Sequence, residues 1–411
     1  MREASVVPRL MVPVLAVACL LLAGCGFSLS SGSPRSGKAD TVKLSALATD
    51  VNQAAAIPSF STYAASYGGK ITHPSRLRGM KLMIIPGNSQ LVACEEIAEA
   101  DAAIATDMGM TATIFSDDGA TADLNNGIET AIGQHYNAID LECDYDPTTT
   151  AAALAQAQSA GLAIAVYGAT PQEAAATHVT YTTTDAYALD AKVAAEQAVR
   201  QNGGKPFDAI AITSNAEPAT AILQDALISE LKVICRACRV TDLDVEEPDW
   251  PADLSAAVIS SLQANPKVTV LFPDYAGMLA YMLAGIEGAQ RTNDIKTYLA
   301  FGGGTPFIQL QTIEPGASVI QSDIGGYPPW TGYLLFLQTA RALEHMTAIP
   351  SDVAIGPDRV ATPENAVNVL TTGGWGTDWV NGFRGLLGLP ALAGEPLTEA
   401  ATLNGAMVGT P

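Results

Sequence analysis

Ten polar and aromatic residues of this 411-residue chain follow short apolar runs: Asn88, Gln90, Asp144, Tyr167, Asn215, Asp274, Tyr275, Phe301, Tyr327 and Trp330. Ser89, Glu142, Ser214 and Gly302 stand beside them, and no lysine or arginine joins the set. Aromatic faces can cover the C–H faces of a polyol, while amides and carboxylates satisfy its hydroxyls. That chemistry holds a small neutral solute. Signatures of reaction chemistry are missing from the sequence: there is no GxSxG elbow, no HExxH and no GxxxxGK[ST]. "FGGGTP" has three glycines but no lysine-bearing helix start after it, so it reads as a turn where backbone passes close to ligand. "DLDVEEPD" (Asp242 to Asp249) lacks the spacing and glycine of a calcium loop and reads as a solvated loop. His73, His135, His178 and His345 show no metal-ligand spacing. Glu142 and Asp144 could be put forward as a hydrolytic pair, but nothing in the spacing supplies partners for them. No catalytic residue, cofactor or metal is expected.

The elements that must position these residues alternate. "KLMIIP" from Lys81, "TATIF", "NAIDLEC" and "LAIAVYG" (Leu162 to Gly168) read as four apolar strands separated by helical segments, two of which close on glycine. The rhythm then restarts with "FDAIAITSN", "KVICRACRV", "VTVLFPDY", "TYLAFGGG" and "ASVIQSD". Near-continuous apolar strands between helices predict parallel sheets covered on both faces. Two rounds predict an α/β protein of two doubly wound, Rossmann-like lobes joined by a hinge. The ten residues then fall at strand ends, where open α/β sheets bind ligands, and two facing lobes make a cleft. The expected division is lobe 1 at 80–171 plus 327–350 and lobe 2 at 172–326 plus 351–362. A segment at 45–79 precedes the lobes, and 363–411 packs on them.

The amino terminus reads as an export signal. Arg2 and Arg9 precede an apolar run from Leu10 to Leu22, and the small residues Ala23 and Gly24 lead into Cys25. Leu22-Ala23-Gly24-Cys25 resembles the bacterial lipobox, which implies cleavage after residue 24, lipidation of Cys25 and a place on the outer face of the cell membrane. Acyl chains contribute about 0.8 kcal/mol per buried CH₂, enough for two or three of them to hold a protein without a spanning helix. The serine- and glycine-rich stretch over 25–44 reads as a flexible tether. The chain is acidic, with 42 Asp and Glu against 21 Lys and Arg, and loss of Arg2, Glu3 and Arg9 moves the net charge from −21 to −22. Such a surface repels nucleic acid. Beyond Cys19 and Cys25, four cysteines remain, an even number that fits disulfides in an exported protein. Cys235 and Cys238 suit a local bridge, with metal and redox roles as alternatives, and Cys94 and Cys143 are candidates for a second.

In their order along the chain, several of these segments resemble one family. "GLAIAVYG" looks like a strand entering a hinge, and "YTTTDAYALDAKVAAEQAV" like the segment that opens a second lobe. "LQANPKVTVLFPDYAGMLAYMLAGIEGA", "SVIQSDIGGYPPWTGYLLFLQTARAL" and the closing "WGTDWVNGFRGLLGLP" continue the likeness. The chain resembles the type I periplasmic solute-binding proteins of ABC importers, in the sugar-binding, ribose-binding-protein-like group of actinobacterial lipoprotein type. The resemblance implies a monomeric receptor that takes a sugar, polyol or similar small solute between its lobes and passes it to a permease. The family's Asp-Arg after the fourth strand is Tyr167-Gly168 here, its arginine on a second-lobe helix falls near Ala221, and its asparagine falls near Tyr275. A charged clamp on a pyranose is therefore not expected. A sensor subunit and a secreted hydrolase are the alternative readings.

Overall fold

The computed structural model describes residues 44–143, 146–302, 319–366, 369 and 375–393. The signal, Cys25, most of the tether, Asp144 and most of the "FGGGTP" glycine run lie outside the described residues.

The helices α1 (Leu44–Ala54) and α2 (Phe60–Ala64) come before the first strand. Then follow β1 (Lys81–Ile85), α3 (Val92–Asp107), β2 (Thr111–Ile114), α4 (Thr121–Gly133), β3 (Ala138–Leu141), α5 (Ala151–Ser159), β4 (Ala163–Tyr167), α6 (Pro171–Thr177) and β5 (Tyr181–Thr183). The second round runs α7 (Tyr187–Gln201), β6 (Asp208–Thr213), α8 (Pro218–Ile234), β7 (Arg239–Asp244), α9 (Ser255–Ala264), β8 (Val268–Pro273), α10 (Leu279–Gly288) and β9 (Lys296–Tyr298). It closes with β10 (Ile320–Gly325), α11 (Pro328–Leu343), β11 (Arg359–Ala361) and α12 (Trp379–Leu386).

The fold is the expected α/β arrangement of two lobes, each built on one sheet. The first sheet has the order β2-β1-β3-β4-β5, with every pairing parallel. The second has the order β11-β10-β9-β8-β6-β7, and only β11 runs antiparallel. The first sheet thus includes β5, ten residues past the expected boundary at 171. The apolar run of β1 shows why its strands carry little polar alternation. Leu82 and Ile84 enter the core under α3 and α11, while Met83 and Ile85 enter a separate core under α4 and α5. Close contact of α11 with α3 depends on Gly332, where a Cβ would overlap the Ile97 carbonyl oxygen.

One strand was placed too early in the sequence. "KVIC" is the last turn of α8 and the start of its cap, Cys235 and Cys238 are bridged at the turn, and β7 begins only at Arg239. β-Branched residues in "KVICRACRV" resembled a strand, but they close a helix whose Leu223, Leu227 and Leu231 face the second core.

Segments outside the two rounds join the lobes. Leu47 and Val51 of α1 lie in the second lobe's core, and Lys192 of α7 pairs with Asp50 at 3.2 Å. Phe60, Tyr67 and Ile71 lie in the first lobe's core. At the other end, Trp375 packs in the second core and Trp379, Val380 and Phe383 of α12 in the first. No helix among the described residues is long and apolar enough to cross a membrane.

Candidate functional site

Both sheets reverse their winding order beside their first strand, between β1 and β3 in one lobe and between β6 and β8 in the other. Loops leaving these strands diverge, which opens a crevice at the carboxyl ends. Asn88 follows β1, and its Nδ2 donates to Glu247 Oε1 in the loop after β7. The strand ends of the two lobes therefore face one another. Asn88 Oδ1 also accepts the Gln90 N–H at 2.9 Å, which fixes the turn and leaves the Gln90 side chain exposed. Beside this bridge, a Cβ at Gly277 would lie 2.8 Å from the Trp250 ring and 3.4 Å from Leu91, so lobe 1 reaches lobe 2 with apolar surface as well.

Glu247 belongs to "DLDVEEPD", which the sequence presents as a solvated loop. The structure corrects that reading: Glu246 accepts from Ser214 Oγ at 3.3 Å and from the Ala216 N–H at 3.0 Å, and Glu247 bridges the lobes. Misplacing β7 hid this loop's position at a strand end. Asp117, after β2, is a second residue missed: it is 6% exposed, Oδ1 accepts the Gly119 N–H, and Oδ2 has no donor. Burial pushes its carboxyl up to about 6, and the nearby acids Asp118, Asp123 and Glu247 add to the shift.

The second lobe contributes an aromatic floor. Tyr275 stands edge-on to Phe301 at 6.3 Å and tilted against Trp250 at 6.3 Å, and Phe301 meets Tyr187 at 5.0 Å. The Tyr275 hydroxyl lies 3.2 Å from Thr220 Oγ1. Asp274 is fully buried, Oδ1 accepts from Gln224 Nε2 at 2.8 Å, and burial pushes its carboxyl up to about 8. Asn215 is exposed, held through its backbone N–H to Asp244 at 3.0 Å. Asp323, also missed, lies against the loop after β9, where a Cβ at Gly302 would overlap its carboxylate. Only glycine allows both to occupy that corner.

At the hinge side, the Tyr167 hydroxyl donates to Asp185. Tyr327 stacks on Trp375 with centroids 5.1 Å apart. Trp330 is not a cleft residue. It is fully buried in the first lobe's core, stacked on Trp379 at 5.7 Å and packed by Phe60, Tyr63 and Phe383, and its Nε1 donates to the Tyr67 hydroxyl at 3.0 Å. Its partners come from the terminal segments, which supply aromatic surface that the strand-end pattern does not reveal.

Beneath the first lobe's rim lies a carboxyl triad. Asp101 of α3, Asp140 of β3 and Glu142 are all buried, Asp101 lies beside both of the others, and Thr339 donates to Asp140 Oδ1. Burial raises all three carboxyls, Asp140 to about 7 and the others well above the usual range. Groups so buried share protons with one another and stay away from solvent and substrate. Glu142 is thus no hydrolytic carboxylate. Cys94 and Cys143 are bridged with Cα atoms 5.3 Å apart, which fixes the loop after β3 to the first turn of α3. Among the described residues no group of His, Cys, Asp and Glu is arranged to hold a metal ion.

The fold is shared with solved structures. An ABC transporter solute-binding protein from Agrobacterium vitis with bound allitol is 20% identical, with a TM-score of 0.61, covering 71% of this chain and 98% of its own. A sugar ABC transporter protein from Yersinia enterocolitica is 16% identical, with a TM-score of 0.62, covering 81% and 99%. A solute-binding protein from Mycobacterium smegmatis with bound glycerol is 15% identical, with a TM-score of 0.61, covering 71% and 97%. No curated protein sequence matches the chain. The family model for the periplasmic binding protein domain matches residues 91–346, more than half of the sequence, and the chain belongs to that family.

Proposed function

We propose that this protein is a lipid-anchored extracytoplasmic receptor that closes its two lobes on a sugar, polyol or similar small solute and delivers it to an ABC permease. The observation that carries the reading is the pair of facing strand ends, bridged by Asn88 and Glu247 and lined by amides, carboxylates and aromatic rings. Asn88, Gln90, Tyr167, Asn215, Tyr275, Phe301 and Tyr327 are the proposed wall of the cleft, while Asp274 is buried and held by Gln224. Relatives of this fold with bound allitol and glycerol support a polyhydroxylated ligand. The rim residues named here carry no cation, which disfavours an anionic solute. The anchor rests on the lipobox at Cys25, and the polar stretch to residue 44 supplies reach.

Ligand selects the closed form because only there do both rims touch it. Calorimetric titration with allitol, glycerol and a set of sugars, paired with small-angle scattering, tests the proposal. Saturable binding with a fall in radius of gyration is expected. Absence of both across the panel would refute it.

A further inference from the structure

Within the two lobes, excluding the terminal segments, the described chain crosses from one to the other at Thr184–Ala186, Gly325–Tyr327 and Ile355–Asp358. Thr184 pairs with Ile355, and its N–H donates to Ala354 at 3.1 Å, so the first and third crossings run side by side. The second passes against both. A Cβ at Gly326 would lie 2.8 Å from Asp185 Oδ1 and 3.6 Å from Asp358 Oδ1. Two carboxyl groups on two different crossings thus converge on the third.

Among the described residues, the surroundings supply few donors, and the causes that act on these carboxyls include no cation. Asp185 Oδ2 accepts from the Tyr167 hydroxyl, and Asp358 accepts from the Ala186 N–H at the start of α7. Asp185 Oδ1 and Asp358 Oδ1 are closed off from solvent without a donor. Among the described residues, Asp190 on the first turn of α7 and the hydroxyls of Tyr63 and Tyr67 act on the pair, and Asp323 on β10 acts on Asp190. Asp190 is completely buried, and neither of its oxygens has a donor. Arg359 follows Asp358 directly, but its guanidinium lies over the Trp375 ring and donates to the Ala55 carbonyl at 2.9 Å. Like charges this close in a buried site cannot all ionise, so the arrangement holds protons.

We propose that Asp185 and Asp358, backed by Asp190, form a proton-holding pin at the hinge, so that closing the lobes takes up protons and alkaline conditions open them. Opening turns the crossings against one another and admits water to carboxylates that then ionise freely. Burial raises Asp185 to about 6 and Asp358 and Asp190 well above the usual carboxylate range. The sign follows: the closed form keeps its protons below these values and loses its advantage as pH rises through them. Each proton released on opening changes the open-to-closed ratio by about tenfold per pH unit.

The pin acts without ligand, so its test is separate from that of the transport reading. Spin labels at Thr121→Cys and Ile222→Cys, exposed positions on different lobes, report the inter-lobe distance by double electron–electron resonance. For the ligand-free full chain, the long-distance population is expected to grow between pH 6 and 9. Asp358→Asn keeps an acceptor for the Ala186 N–H but cannot ionise, and should shift the open-to-closed ratio about tenfold less per pH unit than the wild type, because Asp185 and Asp190 still titrate. If that variant fails to fold, Asp185→Asn, which keeps an acceptor for Tyr167, carries the same expectation. Glu247→Gln removes one ionising group at the cleft mouth and should leave the transition in place. A wild-type distribution that ignores pH, a transition as steep in the Asn variant as in the wild type, or one abolished by Glu247→Gln would overturn the proposal.

Discussion

Asp140→Asn should flatten the dependence of thermal stability on pH. In the native protein Asp140 is fully buried, accepts from Thr339 and lies beside Asp101. Burial raises its carboxyl from 3.8 to about 7, with the bonds to Asp101 and Thr339 pulling the other way. Because the folded state binds this proton more tightly than the unfolded chain, the stabilisation is complete below pH 3.8 and disappears as pH climbs through about 7. A span of roughly 3 pH units at 1.36 kcal/mol each is about 4 kcal/mol. With an unfolding entropy of about 2.1 cal/mol/K per residue over ~350 residues, that slope is about 2 °C in Tm per pH unit. The amide can still accept from Thr339 and can donate to Asp101, but it carries no proton to lose. Calorimetric melts from pH 4 to 7 should show the wild-type Tm falling about 5 °C further than that of the variant. The hinge acids titrate in both proteins and cancel in the difference. Parallel curves would refute the reasoning, because Asp140 would then be no more protonated folded than unfolded.

Trp330→Ala should cost about 3–5 kcal/mol in denaturant unfolding, the range for deleting a large buried aromatic side chain; a loss below 1 kcal/mol would mean that it does not fill the core shared with Phe60 and Trp379. Asn88→Ala removes the polar bridge to Glu247 at the cleft mouth. A hydrogen bond to a charged partner contributes about 1.5–3 kcal/mol, less where water can replace it. The ligand-free chain should therefore open measurably in small-angle scattering, while its melting temperature changes little.

Much of the fold was legible because its signals are local. Apolar strands such as "KLMII" and "AIAVY" need only the pleat and two-sided burial to be read, and alternation with helices then dictates parallel sheets. The one displaced strand shows the limit. "KVIC" has β-branched residues, but tertiary packing of Leu227 and Leu231 continues α8 through them to Ile234. Strand ends point to Asn88, Asp274, Tyr275 and Phe301 for the same local reason. They do not reveal what lies opposite. Glu247 is 159 residues from Asn88, and Trp330 gains its role from Tyr67, 263 residues away. Such pairings arise only when the lobes and the terminal segments meet, and no period in the sequence announces them.

Charge shows the same divide with a physical consequence. The formal value of −21 counts every Asp and Glu as ionised and reads naturally as a solvated acidic surface. Yet Asp101, Asp140, Glu142, Asp190 and Asp274 are fully buried, and burial holds each carboxyl toward its neutral form. Near neutral pH the folded molecule therefore carries fewer negative charges than its composition states, and these five acids lie in the triad under the first rim, at the hinge and in the second lobe. Burying a carboxyl costs least where a neighbour can share its proton. A chain that buries acids at its hinge and beneath its rims, instead of pairing them with arginine, couples its shape to the proton concentration around it.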